Sequence, residues 1–147
     1  MSSFAAKLKT FQNLSPRVKT LLIKALVISA GVKFTLVFLP FKKVLSWLGK
    51  AGIETGTDVN PISLQLRKDI KTAISLCDKY SFWKTECYTQ ALTGKILLNK
   101  LKLTGTIYIG FNLKQEEYRG HAWLRSYDLI LCGEKDSEIF KFQYIFS

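Results

Sequence analysis

Histidine occurs once in this chain of 147 residues, and its three cysteines form no CxxC pair. One imidazole with an odd, scattered set of thiols does not fit the usual Cys/His zinc sites or an even disulfide framework. No metal or other cofactor is expected, and the thiols suit a reducing cytoplasm. Acidic residues are missing from the first third: residues 1–50 hold nine Lys or Arg and no Asp or Glu, against thirteen basic and eleven acidic residues in 51–147. Such a basic region suits an anionic membrane surface, nucleic acid or an acidic partner protein, or simply the solvated faces of amphipathic helices. We expect no nucleic-acid partner and keep peripheral contact with an anionic membrane as an option. An unbroken apolar run is missing too. Leu21 to Leu39 approaches spanning length but contains Lys24 and Lys33, which fall on opposite sides of a helix. Each lysine costs about 2.5–3.5 kcal/mol near a bilayer centre, so the segment is not expected to span. It also starts late and lacks a small-residue cleavage site after it, which argues against a signal peptide.

The length and the 48% hydrophobic content predict one domain, 1–147, with a basic helical part over 1–50 and a core over 62–147. Ser15-Pro16 reads as an N-cap followed by proline at the first helical position. Val18, Leu21, Leu22, Ala25, Leu26, Ser29 and Val32 then recur at helical spacing, which predicts a helix from Pro16 to Phe38 stopped by Pro40. A short helix should follow over Phe41–Leu48, and residues 50–61 read as a linker. Leu66, Ile70, Ala73, Ile74 and Cys77 predict a third helix over Ile62–Tyr80 with Arg67, Lys68, Asp69 and Lys71 outside; a fourth should run from Thr85 to Leu101 despite Gly94. Strands are expected over Thr104–Phe111, His121–Ser126 and Leu129–Cys132, with a tight turn at Tyr127-Asp128 between the last two. The alternating Phe140, Phe142, Tyr144 and Phe146 suggest a final strand with an aromatic face on the core. Helices first and an antiparallel sheet after make the class α+β.

Cys87 falls at the start of the fourth helix, where unpaired backbone N–H groups and the positive end of the dipole favour thiolate over thiol. His121 opens a strand more than thirty residues later. A helix-borne cysteine facing a strand-borne histidine is the arrangement of cysteine acyl-transfer enzymes, with the Cys87 N–H as one oxyanion donor. Cys77 and Cys132 lie on apolar faces and read as small hydrophobes.

The stretch Phe82-Trp83-Lys84-Thr85-Glu86-Cys87-Tyr88-Thr89-Gln90-Ala91-Leu92 resembles the cysteine motif of the lasso-peptide leader peptidases, a branch of the transglutaminase-like cysteine peptidases. Gly120-His121-Ala122-Trp123-Leu124 resembles their His-Ala-Trp strand, and Ile107-Tyr108-Ile109-Gly110-Phe111 the strand before it. Leu14-Ser15-Pro16 and Leu39-Pro40-Phe41-Lys42-Lys43 are similar to the family's opening helices, so the likeness covers nearly the whole chain. The family's triad ends in an aspartate on the strand after His-Ala-Trp, and that slot falls here on Gly133. A two-residue turn at Tyr127-Asp128 would place Glu134 opposite His121, which makes Glu134 the first candidate to orient the imidazole and Asp136 the second. Asp128 reads as a turn residue. Failing a carboxylate, a backbone carbonyl or Gln could orient the ring. Trp83 and Trp123 flank the two motifs as candidate walls of a substrate cleft.

The resemblance implies a cysteine peptidase that removes the leader from a ribosomally made lasso-peptide precursor and delivers the core to an ATP-dependent cyclase. It also implies leader recognition by a separate small protein, since matched helices occupy the residues before Cys87. Two other classes use or bypass the same pair: a transglutaminase-like amidase or acyltransferase of other substrate, and a non-catalytic scaffold that docks on a membrane or partner.

Overall fold

The computed structural model describes residues 2–112, 119–134 and 141–147. Among the described residues, five helices precede four strands: α1 (Ser2–Gln12), α2 (Pro16–Phe38), α3 (Phe41–Ser46), α4 (Pro61–Tyr80), α5 (Cys87–Lys100), β1 (Thr106–Asn112), β2 (Arg119–Ser126), β3 (Leu129–Cys132) and β4 (Lys141–Phe146). The strands form one antiparallel sheet in the order β3-β2-β1-β4, and the fold is α+β as the pattern of periods predicts.

Local chemistry sets the helix starts. Ser15 Oγ accepts from the Val18 N–H at 3.3 Å, and Pro16 follows at the first helical position, where its missing N–H costs nothing. Asn60 caps α4 in the same way through the Ser63 N–H at 3.2 Å, ahead of Pro61. The first helix, α1, went unpredicted, although Phe4, Leu8 and Phe11 stand at helical spacing.

The core joins α2, α4 and α5 to the sheet: Leu22, Ala25, Ile70, Ala73, Ile74, Leu92, Leu98, Ile107 and Leu124 are all essentially inaccessible. Gly94 stands where α5 presses on β2. A Cβ there would meet Leu124 Cδ2 at 2.5 Å and Ile74 Cδ1 at 2.8 Å, so close packing accounts for a glycine inside a helix.

Arg67 departs from expectation: its side chain is fully buried, not outside. Position explains it, because Ser63, Arg67, Ile70, Ile74 and Cys77 form one inward stripe on α4. Its guanidinium donates to Ser126 O at 2.7 Å, Asn60 O at 2.8 Å, Ser63 Oγ at 3.2 Å and Asp128 Oδ1 at 3.0 Å. The same group covers the Tyr127 ring at 5.0 Å, bracing a turn whose first central residue has φ +53°. Asp128 thus serves the hairpin as an Arg67 partner.

Residues 50–61 carry almost no regular structure but are tied down. Thr55 N–H donates to Thr106 Oγ1 at 2.9 Å, the Gly52 N–H to Ile145 O at 2.8 Å, and Arg125 bonds Glu54 Oε1 at 3.0 Å. In β4, Phe146 enters the core while Tyr144 remains 44% exposed, so the expected aromatic face is only partly inward; Phe140 lies outside the described residues.

Candidate active site

Cys87 is the first residue of α5, one place after Glu86, whose side chain makes no cap hydrogen bond. The helix therefore starts later than the expected Thr85, and Thr85 instead donates its hydroxyl to Asp78. This places the sulfur directly at the positive end of the dipole. Burial opposes ionisation of Cys87. The His121 side chain, the Ala122 backbone N–H, the charge on His121 and the Tyr88 backbone N–H outweigh it, holding the thiol below its ordinary value of 9.0. The other two cysteines behave in the opposite way. Burial pushes Cys132 up to about 12, and it raises Cys77 despite the 3.3 Å contact with Ser29 Oγ. Of the three, only Cys87 is set up to be a nucleophile.

His121 is half-buried in β2, paired with Gly110 of β1, and its Nε2 lies 2.8 Å from Gly133 O. A carbonyl oxygen only accepts, so this contact assigns the hydrogen to Nε2 and leaves Nδ1 as the basic nitrogen of the neutral ring. Behind the imidazole, Trp123 stacks at 5.9 Å between ring centroids and Tyr108 stacks on Trp123 at 5.5 Å. Arg125 Nε donates to the Tyr108 hydroxyl at 2.8 Å, which closes the support.

The β2–β3 register differs from the expected one. Arg125 pairs with Ile130 and Ser126 with Leu129, but a bulge then shifts Leu124 onto Cys132. The ladder ends there, so Glu134 does not pair across from His121, and the chain turns away at Gly133 with φ +78°. A Cβ on Gly133 would meet Ala122 O at 2.5 Å and Trp123 Cβ at 2.7 Å. No side chain fits where the resemblance leads one to look for an aspartate, and the backbone carbonyl takes its place beside the ring.

A cleft of about 430 Å³ opens over the pair, lined by Cys87, His121, Gln90, Asp78, Lys71 and Glu134 among others. Its volume suits a short peptide segment or a small substrate. Glu134 is thus brought to the site, where its carboxylate meets Lys71 Nζ at 3.3 Å; Asp136 lies outside the described residues. Trp83 and Trp123 are not among the residues lining the cleft. Trp83 Nε1 donates to Ser29 Oγ on α2 at 3.3 Å, and Trp123 is buried behind His121. Sequence reasoning did not pick out Gln90, Asp78 or Lys71. Gln90 had a readable signal, being three residues beyond Cys87 and so on the same helix face, whereas the Gly133 carbonyl carries none. Among the described residues, no group of three His, Cys, Asp or Glu side chains is placed to hold a metal.

A thiol at a helix start, hydrogen-bonded to a strand histidine whose Nε2 is held by a backbone carbonyl, is equipped for acyl transfer through a thioester. A family model of the transglutaminase-like superfamily matches residues 35–147, which include the whole pair, the sheet and three of the five helices. The chain belongs to the transglutaminase-like superfamily. That membership makes a cysteine peptidase or acyltransferase-type activity its general chemistry. No curated protein and no solved structure gives a significant match. In this transglutaminase-like domain, α3 to β4 fall within the matched residues, while α1 and most of α2 lie ahead of them.

Proposed function

We propose that this chain is the leader peptidase of a lasso-peptide pathway, cutting a ribosomally made precursor at the leader–core junction. The observation that carries the reading is the hydrogen-bonded Cys87–His121 pair, set in the Phe82–Leu92 and Gly120–Leu124 motifs and opening on a cleft of peptide size. In this mechanism the Cys87 thiolate attacks the scissile carbonyl carbon, and the Cys87 N–H, free at the helix start, donates to the developing oxyanion. The imidazolium of His121 protonates the departing amine as the C–N bond breaks, leaving a thioester on Cys87 and a core with a free N-terminus. Water, deprotonated by His121 Nδ1, then attacks the thioester, releasing the leader carboxylate and regenerating the thiol. Gly133 O holds the ring and steadies the imidazolium, and Glu134 adds a negative charge to the same cleft.

The core passes to an ATP-dependent cyclase. In this reading a separate protein recognises the leader, while α2 and α4 pack into the core and hold the site. Incubating the chain with a cognate precursor and its recognition protein, for wild type and Cys87→Ala, tests this by mass spectrometry. Release of leader and core by wild type alone supports the peptidase. Transfer of the acyl group to an added amine, indifferent to the leader, would replace it with the acyltransferase reading.

A further inference from the structure

The α2 helix is apolar on two opposite faces. One carries Leu21, Leu22, Ala25 and Val32 into the core against α4 and α5. The other exposes Ile23 (54%), Val27 (69%), Phe34 (68%), Val37 (73%) and Phe38 (69%), at helical spacing along about 22 Å of the axis. At roughly 100° per residue these five lie in one stripe, with Lys24 and Lys33 on its two flanks and Lys19 near its N-terminal end. Phe4 (74%) and Leu8 (48%) of α1 extend the apolar surface across a groove they share with Leu26. A contiguous apolar face of this kind marks an interaction surface.

We propose that the outer face of α2 docks on an anionic lipid bilayer, lying in the interface with its apolar stripe among the acyl chains and its lysines at the headgroups. Charge decides between occupants. Residues 1–50 hold nine basic residues and no acidic one, so two copies meeting on this face would set like charge against like, whereas an anionic headgroup layer complements it. The helix is long and apolar enough to cross a bilayer, but spanning would strip Leu21, Leu22, Ala25 and Val32 from the core; lying flat keeps both faces satisfied. Lys33, on one flank of the stripe, meets Glu86 at 3.6 Å, so docking holds the start of the Cys87 helix close to the bilayer.

Sedimentation of the full chain with vesicles tests this, using phosphatidylcholine alone and phosphatidylcholine with phosphatidylglycerol. The wild type pellets with the anionic vesicles, less so as salt rises, and not with the neutral ones. The double variant Val27→Ser/Phe34→Ser loses at least about tenfold in binding and Lys24→Gln about fivefold. Both alter exposed positions, so an unchanged melting temperature and unchanged Cys87 alkylation certify the fold. Wild type remaining in the supernatant overturns the proposal, as does undiminished binding by the double variant. A dimer seen by sedimentation velocity that Val27→Ser/Phe34→Ser abolishes, without vesicle binding, assigns the face to a second copy instead.

Discussion

His121 Nε2 and the carbonyl oxygen of Gly133 lie 2.8 Å apart, so a backbone acceptor holds one nitrogen of the candidate base. The contact fixes the tautomer as a carboxylate would, but a neutral carbonyl stabilises the imidazolium less than a full negative charge does. The sheet imposes this arrangement. The bulge after Ile130 ends the β2–β3 ladder at Cys132, and Gly133 then takes a left-handed turn against Ala122 and Trp123.

Gly133→Ala should therefore injure both fold and chemistry. A Cβ at that positive φ meets Ala122 O at 2.5 Å, and relieving the contact moves the carbonyl away from His121. We expect a loss of about 1–3 kcal/mol in stability and a fall in kcat greater than any rise in KM, read from denaturant unfolding and steady-state cleavage.

Glu134→Gln separates two roles for that carboxylate. If Gly133 O orients the ring and Glu134 supplies charge to the cleft, kcat drops only about three- to tenfold with folding intact. A drop near 10⁴-fold would make Glu134 the residue that holds the imidazole.

The thiols should titrate apart. Rates of iodoacetamide alkylation against pH should place Cys87 below 9.0, while Cys132, pushed up to about 12, and Cys77 stay inert until the protein unfolds. His121→Ala removes the hydrogen bond and the charge that favour the Cys87 thiolate and moves its inflection upward, with cleavage down about 10³-fold or more. The linked effect on stability has a definite sign. Between the lowered folded value and 9.0, the folded state has released a proton that the unfolded state retains, so Cys87 adds stability as pH rises and loses it as pH falls through the folded value.

Arg67→Ala should be the most destabilising of these substitutions, at about 3–5 kcal/mol, because it leaves the Ser126 and Asn60 carbonyls without their buried donor and Asp128 without its partner. Asp128→Asn, at a half-exposed partner, should cost far less. Melting temperatures of the two variants check the order.

Much of the fold was readable because each signal was local. The Ser15-Pro16 cap and the apolar period gave the limits of α2, and the change of period after Leu101 marked the start of the sheet. Arg67 shows where residue type misled: its spacing put it on the inner stripe of α4, and its charge suggested solvent. Only a set of acceptors gathered from α4, the segment before it and the β2–β3 turn makes the inner position tolerable. The α1 helix was overlooked although Phe4, Leu8 and Phe11 carry its period, because no cap or proline announced it.

The sequence by itself determined the order of elements from α2 onward and the candidate nucleophile and base, since a helix start, a strand and two motifs are written in consecutive residues. Tertiary structure alone decided what surrounds the base. A one-residue bulge displaces every later residue by one register position, and it carries no mark in residue type, so no local pattern could place Glu134 beside Lys71 or turn the Gly133 carbonyl toward His121. The same holds for the outer face of α2. Its apolar residues look like core in the sequence, and only the packing of α4 and α5 against the opposite side shows which ones remain in solvent.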